Sequence, residues 1–115
     1  MSNRPQAKTD VLQGTLDLMV LRTLDAMGPL HGYALAARLE QTSGGALQLN
    51  MGTLYPALMR LEQRGLLRGA WGTTDSNRRA RFYAITAAGR RQLASDREAG
   101  DRMSAIMQRV LDSEA

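Results

Sequence analysis

Eight arginines fall between positions 60 and 91: Arg60, Arg64, Arg68, Arg78, Arg79, Arg81, Arg90 and Arg91. Only Glu62 and Asp75 oppose them, so this stretch carries +6 while the whole chain carries +4 and the remainder −2. A guanidinium is always charged, and its planar fork of donors fits phosphate oxygens and the edge of guanine. Clustering of one sign raises the local potential and attracts a polyanion. Arg78, Arg79 and Arg81 follow the polar run GTTDSN, where a hairpin tip would suit phosphate contact or entry into a narrow minor groove. From charge alone, a solvated arginine face serves equally well.

Other chemistries find little support. His31 is the only histidine and there is no cysteine. A metal site needs several ligands and a general base needs partners. No carboxylate pair on a recognisable scaffold and no Gly-rich phosphate loop is visible, so the chain reads as a non-enzyme without metal or cofactor. The absence of cysteine excludes disulfides and fits a reducing compartment. No run of 18 apolar residues exists to span a membrane, and the N-terminus lacks the apolar core of a signal peptide. A cytoplasmic protein is expected. Its 115 residues, 43% of them hydrophobic, suffice for one domain, with or without an appended helix.

The elements that must position the arginines follow from periodicity. Residues 1–10 are polar, without period, and read as a flexible arm. Leu12, Leu16, Met19, Val20, Leu24 and Met27 recur at steps of three and four, one face of a first helix, and Leu18 and Leu21 widen it. Gly28-Pro29 ends it. A second helix over 32–41 offers Tyr33, Leu35, Ala36 and Leu39 to the core and stops at Gly44-Gly45; residues 46–49 alternate like a small strand. In a third helix Leu54, Tyr55, Leu58 and Leu61 face inward, Thr53 is the expected N-cap, and Pro56 falls in the first turn. Its opposite face carries Gly52, Ala57, Arg60, Gln63 and Arg64. Gly65 ends it. Residues 66–71 and 80–86 read as strands around a polar turn over 72–79, with Trp71 covering the core and the methionines as packing filler. Thr86 caps a last helix over 87–111, whose apolar residues thicken toward Met103, Ile106, Met107, Val110 and Leu111. That end has nothing obvious to pack against within the chain, and a second copy is the economical partner.

These pieces carry a resemblance. LQGTLDLMVLRTL, HGYALAARLE, NMGTLYPALMRLEQRGLL and RRARFYAITAAGRRQL, together covering about residues 11–93, resemble the PadR family of bacterial transcriptional regulators, in the short form with a single C-terminal dimerisation helix. The resemblance implies a mainly α fold with a small β-wing: a winged helix-turn-helix over 11–86 and a dimerisation helix over 87–115. It implies a homodimer that binds double-stranded DNA at a near-palindromic operator and represses transcription. The third helix enters the major groove, with Thr53, Tyr55, Pro56, Ala57 and Arg60 at the DNA. Arg78, Arg79 and Arg81 of the wing, and the hydroxyl of a half-buried Tyr33, reach the backbone. Leu16, Val20, Leu93, Met103, Met107, Val110 and Leu111 form the subunit interface. Some members bind aromatic or drug-like effectors between subunits, stacked on a Trp in the last helix. Gly100 stands at that place here, so the aromatic sandwich does not carry over and any effector is of unknown identity. The rival reading is a winged-helix module that binds protein rather than DNA; the basic helix face and wing argue against it. A membrane-surface role for the last helix is disfavoured by its mixed charge.

Overall fold

Four helices and a three-stranded sheet make up the computed structural model, which describes residues 6–114, with side chains from residue 14 onward. Helix α1 (Gln6–Met27) buries Leu16, Val20, Leu21 and Leu24. It starts before the residue 11 expected from periodicity, so positions 6–10 of the proposed arm are helical; residues 1–5 and the side chain of Leu12 lie outside the described residues. Met27 is exposed, contrary to the inward face expected for it. Gly28 closes the helix at φ +83°, its N–H donating to the Leu24 carbonyl at 3.0 Å. That left-handed conformation suits glycine.

The two-residue strand β1 (Leu30–His31) leads directly into α2 (Gly32–Thr42). The expected strand at 46–49 does not form. The segment is instead tied to the end of α2, where the Leu47 N–H donates to the Ser43 hydroxyl at 2.9 Å.

Helix α3 (Met51–Gln63) is capped by Asn50, whose side-chain oxygen accepts the Thr53 N–H at 2.9 Å. The cap therefore lies three residues before the expected Thr53. Asn ranks with the best capping residues, and Thr53 falls on the third helical position. Pro56 consequently sits in the second turn, where it removes one helical hydrogen bond, rather than in the first. Leu54, Ala57, Leu58 and Leu61 are fully buried. A Schellman closure ends the helix: Leu66 N–H donates to Leu61 carbonyl and Gly65 N–H to Glu62 carbonyl, both at 2.9 Å, with Gly65 at φ +75°.

Strands β2 (Leu67–Thr73) and β3 (Arg79–Ile85) pair antiparallel over all seven positions, from Leu67 opposite Ile85 to Thr73 opposite Arg79. β1 pairs with the other edge of β3, Leu30 opposite Tyr83, giving the order β1-β3-β2. Tyr83 and Ile85 point into the core on one face of β3, as alternation requires. The turn between β2 and β3 closes with Thr74 N–H to Arg78 carbonyl at 2.8 Å and Arg78 N–H to Thr74 hydroxyl at 3.1 Å.

Helix α4 (Ala87–Leu111) is capped as expected by Thr86, whose hydroxyl accepts the Gly89 N–H at 3.0 Å and donates to the Gly65 carbonyl at 2.7 Å. One bond starts α4 and the other ties it to the end of α3. Among the described residues, no helix is long and apolar enough to cross a membrane.

Candidate nucleic-acid interface

The N-terminal turns of α2 and α3 and the hairpin of β2 and β3 enclose an open groove of about 1070 Å³. His31, Tyr33, Tyr55, Trp71, Arg78, Arg79 and Arg81 line it. His31 builds its floor: it caps α2 by accepting the Ala34 N–H on Nδ1 at 3.5 Å, and its ring meets Phe82 edge-on at 5.3 Å between centroids. Its role is thus structural. Gly32 allows the close approach of α2 to α3, since a Cβ there would meet the Met51 methyl at 2.8 Å and the Tyr55 ring at 3.1 Å.

The exposed face of α3 presents Thr53, Tyr55, Pro56, Met59, Gln63 and Arg64. Tyr55 lies outside the core it was expected to join, its ring against Gly32 at the groove edge. Ala57 is a correction in the opposite sense. It is 0% exposed, because Leu54, Leu58 and Leu61 set a buried arc that includes position 57 (i+3 from 54), and it cannot touch an outside partner.

The arginines divide into held and unheld. Arg60 donates to the Asp17 carboxylate of α1 at 3.1 Å, and its side chain is 32% exposed against 15% for Asp17. Burial pushes the Asp17 carboxyl above its ordinary value, although the Arg60 charge and hydrogen bond oppose that shift. Arg81 is paired with Glu62 of α3 through Nη2 and Oε2 at 2.5 Å, and its guanidinium lies 6.0 Å from the centre of the Tyr83 ring. The hydrogen bond from Arg81 to Glu62 raises the Arg81 pKa further, and burial raises that of Tyr83. Arg81 therefore joins wing to helix. Arg78 and Arg79 are exposed at the hairpin and make no ion pair among the described residues.

Trp71 does not cover the core. It is 58% exposed, and Arg79 stacks over its ring at 5.1 Å. Trp71 shares the face of β2 that carries Leu67 and lies opposite Arg81, but the hairpin carries it past the end of the core, and cross-strand neighbours two apart are within reach of long side chains. Tyr33, expected half-buried, is 68% exposed on the first turn of α2. Met59 is also exposed, not filler, as are Met103 and Met107. Sequence reasoning misses Trp71 and Met59 as surface residues; Met59 falls one turn on from the exposed Tyr55, whereas alternation places Trp71 with the buried Leu67 and gives no signal of its exposure.

The expected subunit-interface residues divide as well. Leu16, Val20 and Leu93 are buried within the chain's own core, so they are not available to a second copy. Met103, Met107, Val110 and Leu111, with Ile106, are all at least half exposed.

Three helices and a β-hairpin in this order, with an open groove between the N-terminal turns of the second and third helices and the hairpin, define a winged-helix regulator. Residues 20–95 match the Transcriptional regulator PadR-like family, and the chain belongs to that family. It is 43% identical over 96 residues to an uncharacterized 37.1 kDa protein in transposon TN4556 of Streptomyces fradiae, covering 84% of this chain and 25% of that protein. It is 39% identical over 75 residues to the transcriptional regulator Rv3488 of Mycobacterium tuberculosis, covering 65% of this chain and 66% of that one. The chain thus spans a quarter and about two thirds of the lengths of these relatives. Among solved structures, a PadR family transcriptional regulator from Eggerthella lenta superposes with TM-score 0.78 at 28% identity, covering 92% of this chain and 89% of that one. A transcriptional regulator from Clostridium thermocellum shares the fold, with TM-score 0.78 at 24% identity over 87% and 96% of the two chains. Members of the family are transcriptional regulators, not enzymes.

Proposed function

We propose that this PadR-family regulator binds double-stranded DNA as a homodimer at a near-palindromic operator and represses transcription. One observation carries the DNA reading. Arg78 and Arg79, free of carboxylate partners among the described residues, stand at the hairpin beside the exposed face of α3. In this reading α3 enters the major groove with Thr53, Tyr55, Pro56, Met59, Gln63 and Arg64. The wing reaches the flanking backbone through Arg78 and Arg79, with Trp71 stiffening Arg79 and Tyr33 offering its hydroxyl to phosphate. Arg60 and Arg81 hold α1, α3 and the wing in place, because each is already engaged by an acid. The dimer is formed by Met103, Ile106, Met107, Val110 and Leu111, an apolar face spaced at three and four residues that α4 leaves uncovered.

A two-fold dimer requires half-sites about one or two helical turns apart. The test is a random-site selection followed by fluorescence anisotropy on the selected duplex. Arg78→Ala with Arg79→Ala is expected to weaken binding to all duplexes and to lower the salt slope by about 2, roughly one for each phosphate that an arginine no longer neutralises. An unchanged salt slope would remove the wing from the interface. Failure to enrich any duplex would favour a protein partner. Sedimentation of Met107→Asp with Val110→Asp is expected to give a folded monomer; a persisting dimer would place the interface elsewhere.

A further inference from the structure

Positions three and four apart share one face of a helix. On α3, Thr53, Pro56, Met59 and Gln63 form one exposed line, with Tyr55 beside it. The middle of that line has almost nothing to hydrogen-bond with. Pro56 has an apolar ring and no N–H, and the thioether of Met59 is only a weak acceptor. Arg60 is the next residue and of the type that pairs with guanine, but the Asp17 carboxylate of α1 holds it at 3.1 Å. The remaining polar side chains, Thr53 at one end and Gln63 with Arg64 at the other, flank this apolar centre.

Met59 is 56% exposed, while Leu54, Leu58 and Leu61 of the same helix are fully buried. Its chain is unbranched and adapts to the surface that it meets. In a major groove all four bases present hydrogen-bonding groups, and thymine adds a C5 methyl. Carbon and sulfur laid over the cytosine amine or the guanine oxygen leave that group without its hydrogen bond, which is costly. Laid over the thymine methyl, they bury apolar surface on both sides.

We propose that Met59 is a specificity-determining residue, selecting thymine at one position of each half-site through contact with its C5 methyl, with Pro56 excluding water beside it. The inference rests on the reading that α3 enters the major groove. It carries a consequence for modified DNA: at that position 5-methylcytosine is accepted better than cytosine.

The test uses the full chain and the duplex obtained by random-site selection. Each thymine in turn is replaced by deoxyuridine, which removes one methyl and keeps every hydrogen-bonding group, and affinity is read by fluorescence anisotropy. At one thymine per half-site the replacement should weaken binding roughly fourfold, the increment for one buried methyl. Met59→Ala should bind the thymine and uracil duplexes equally at that position while keeping the penalties at other thymines. Met59→Leu should retain the discrimination. A 5-methylcytosine·guanine pair placed there should bind the unaltered chain better than cytosine·guanine and Met59→Ala no better. If the unaltered chain binds the duplex but no uracil replacement weakens it, or if Met59→Ala keeps the full penalty everywhere, Met59 does not select thymine, although the DNA reading stands. If the unaltered chain binds no duplex, the DNA reading falls and this proposal with it.

Discussion

The two halves of α4 follow the same helical pattern and meet opposite fates. The first half is anchored to its own chain along one face. Thr86 caps it, Leu93 is buried, and Arg90 donates to Asp25 of α1 at 3.1 Å. The second half carries more large apolar residues and covers none of them. Its ion pair is local, Arg102 with Glu98 at 3.2 Å one turn away, both well exposed. Such a pair contributes only about 0.3–0.5 kcal/mol. Amphipathic periodicity states that a face wants cover; it does not state whose. The first half finds cover in its own chain, and the second is left for another molecule.

The largest test of that contrast is a pair of truncations. Leu93→Ala should cost about 2–5 kcal/mol in urea unfolding, the range for a buried leucine. Leu111→Ala, 70% exposed, should cost almost nothing in the same assay at concentrations too low for association. Equal costs would mean that the chain itself holds the far end of α4.

The glycines sharpen it next. A Cβ on Gly89 would collide with the Leu66 carbonyl oxygen, which is backbone and cannot swing aside. Gly89→Ala should lower stability by about 1–3 kcal/mol or more, as overpacking does. Gly100 has no atom within 4 Å of the same added group. Gly100→Ala should therefore raise stability by up to about 1 kcal/mol through helix propensity alone. A loss of stability at Gly100 would indicate that a partner approaches the helix there.

The smallest expected effect is at Asp17, which joins the anchored region to α3. Burial raises its folded pKa above the ordinary 3.8 against the pull of Arg60. The folded state then holds the proton more tightly than the unfolded chain. The stability this brings is complete below about pH 3.8 and is lost as pH rises past the folded value. Urea unfolding from pH 3 to 5 should show wild type losing ground to Asp17→Asn as pH rises. The opposite slope would mean that the Arg60 pair outweighs burial.

Local signals located most of the fold. The steps in Leu54, Leu58 and Leu61, the Gly65 stop and the Thr86 cap involve neighbours along the chain, and each is found where expected. β1 is illegible in the sequence because two residues cannot show a period. The α3 cap is ambiguous there because Asn50 and Thr53 are both good caps and only the backbone path chooses between them. For the candidate site, sequence located the basic stretch but not the division of labour within it. Arg60 meets Asp17 from 43 positions away and Arg81 meets Glu62 from 19. Trp71 is exposed because the hairpin carries it past the core, although it shares a strand face with the buried Leu67.

The sequence by itself determined the order of the four helices and the β-hairpin, the Gly65 stop, the Thr86 cap and the clustering of positive charge, because these depend on neighbours within about four positions or on composition. Only the tertiary structure decided which arginines are spent as struts and which stand free, that Ala57, Leu16, Val20 and Leu93 belong to the interior, and that the end of α4 has no cover in its own chain. Those outcomes depend on which distant residue arrives opposite each side chain, and spacing along one element carries no record of that.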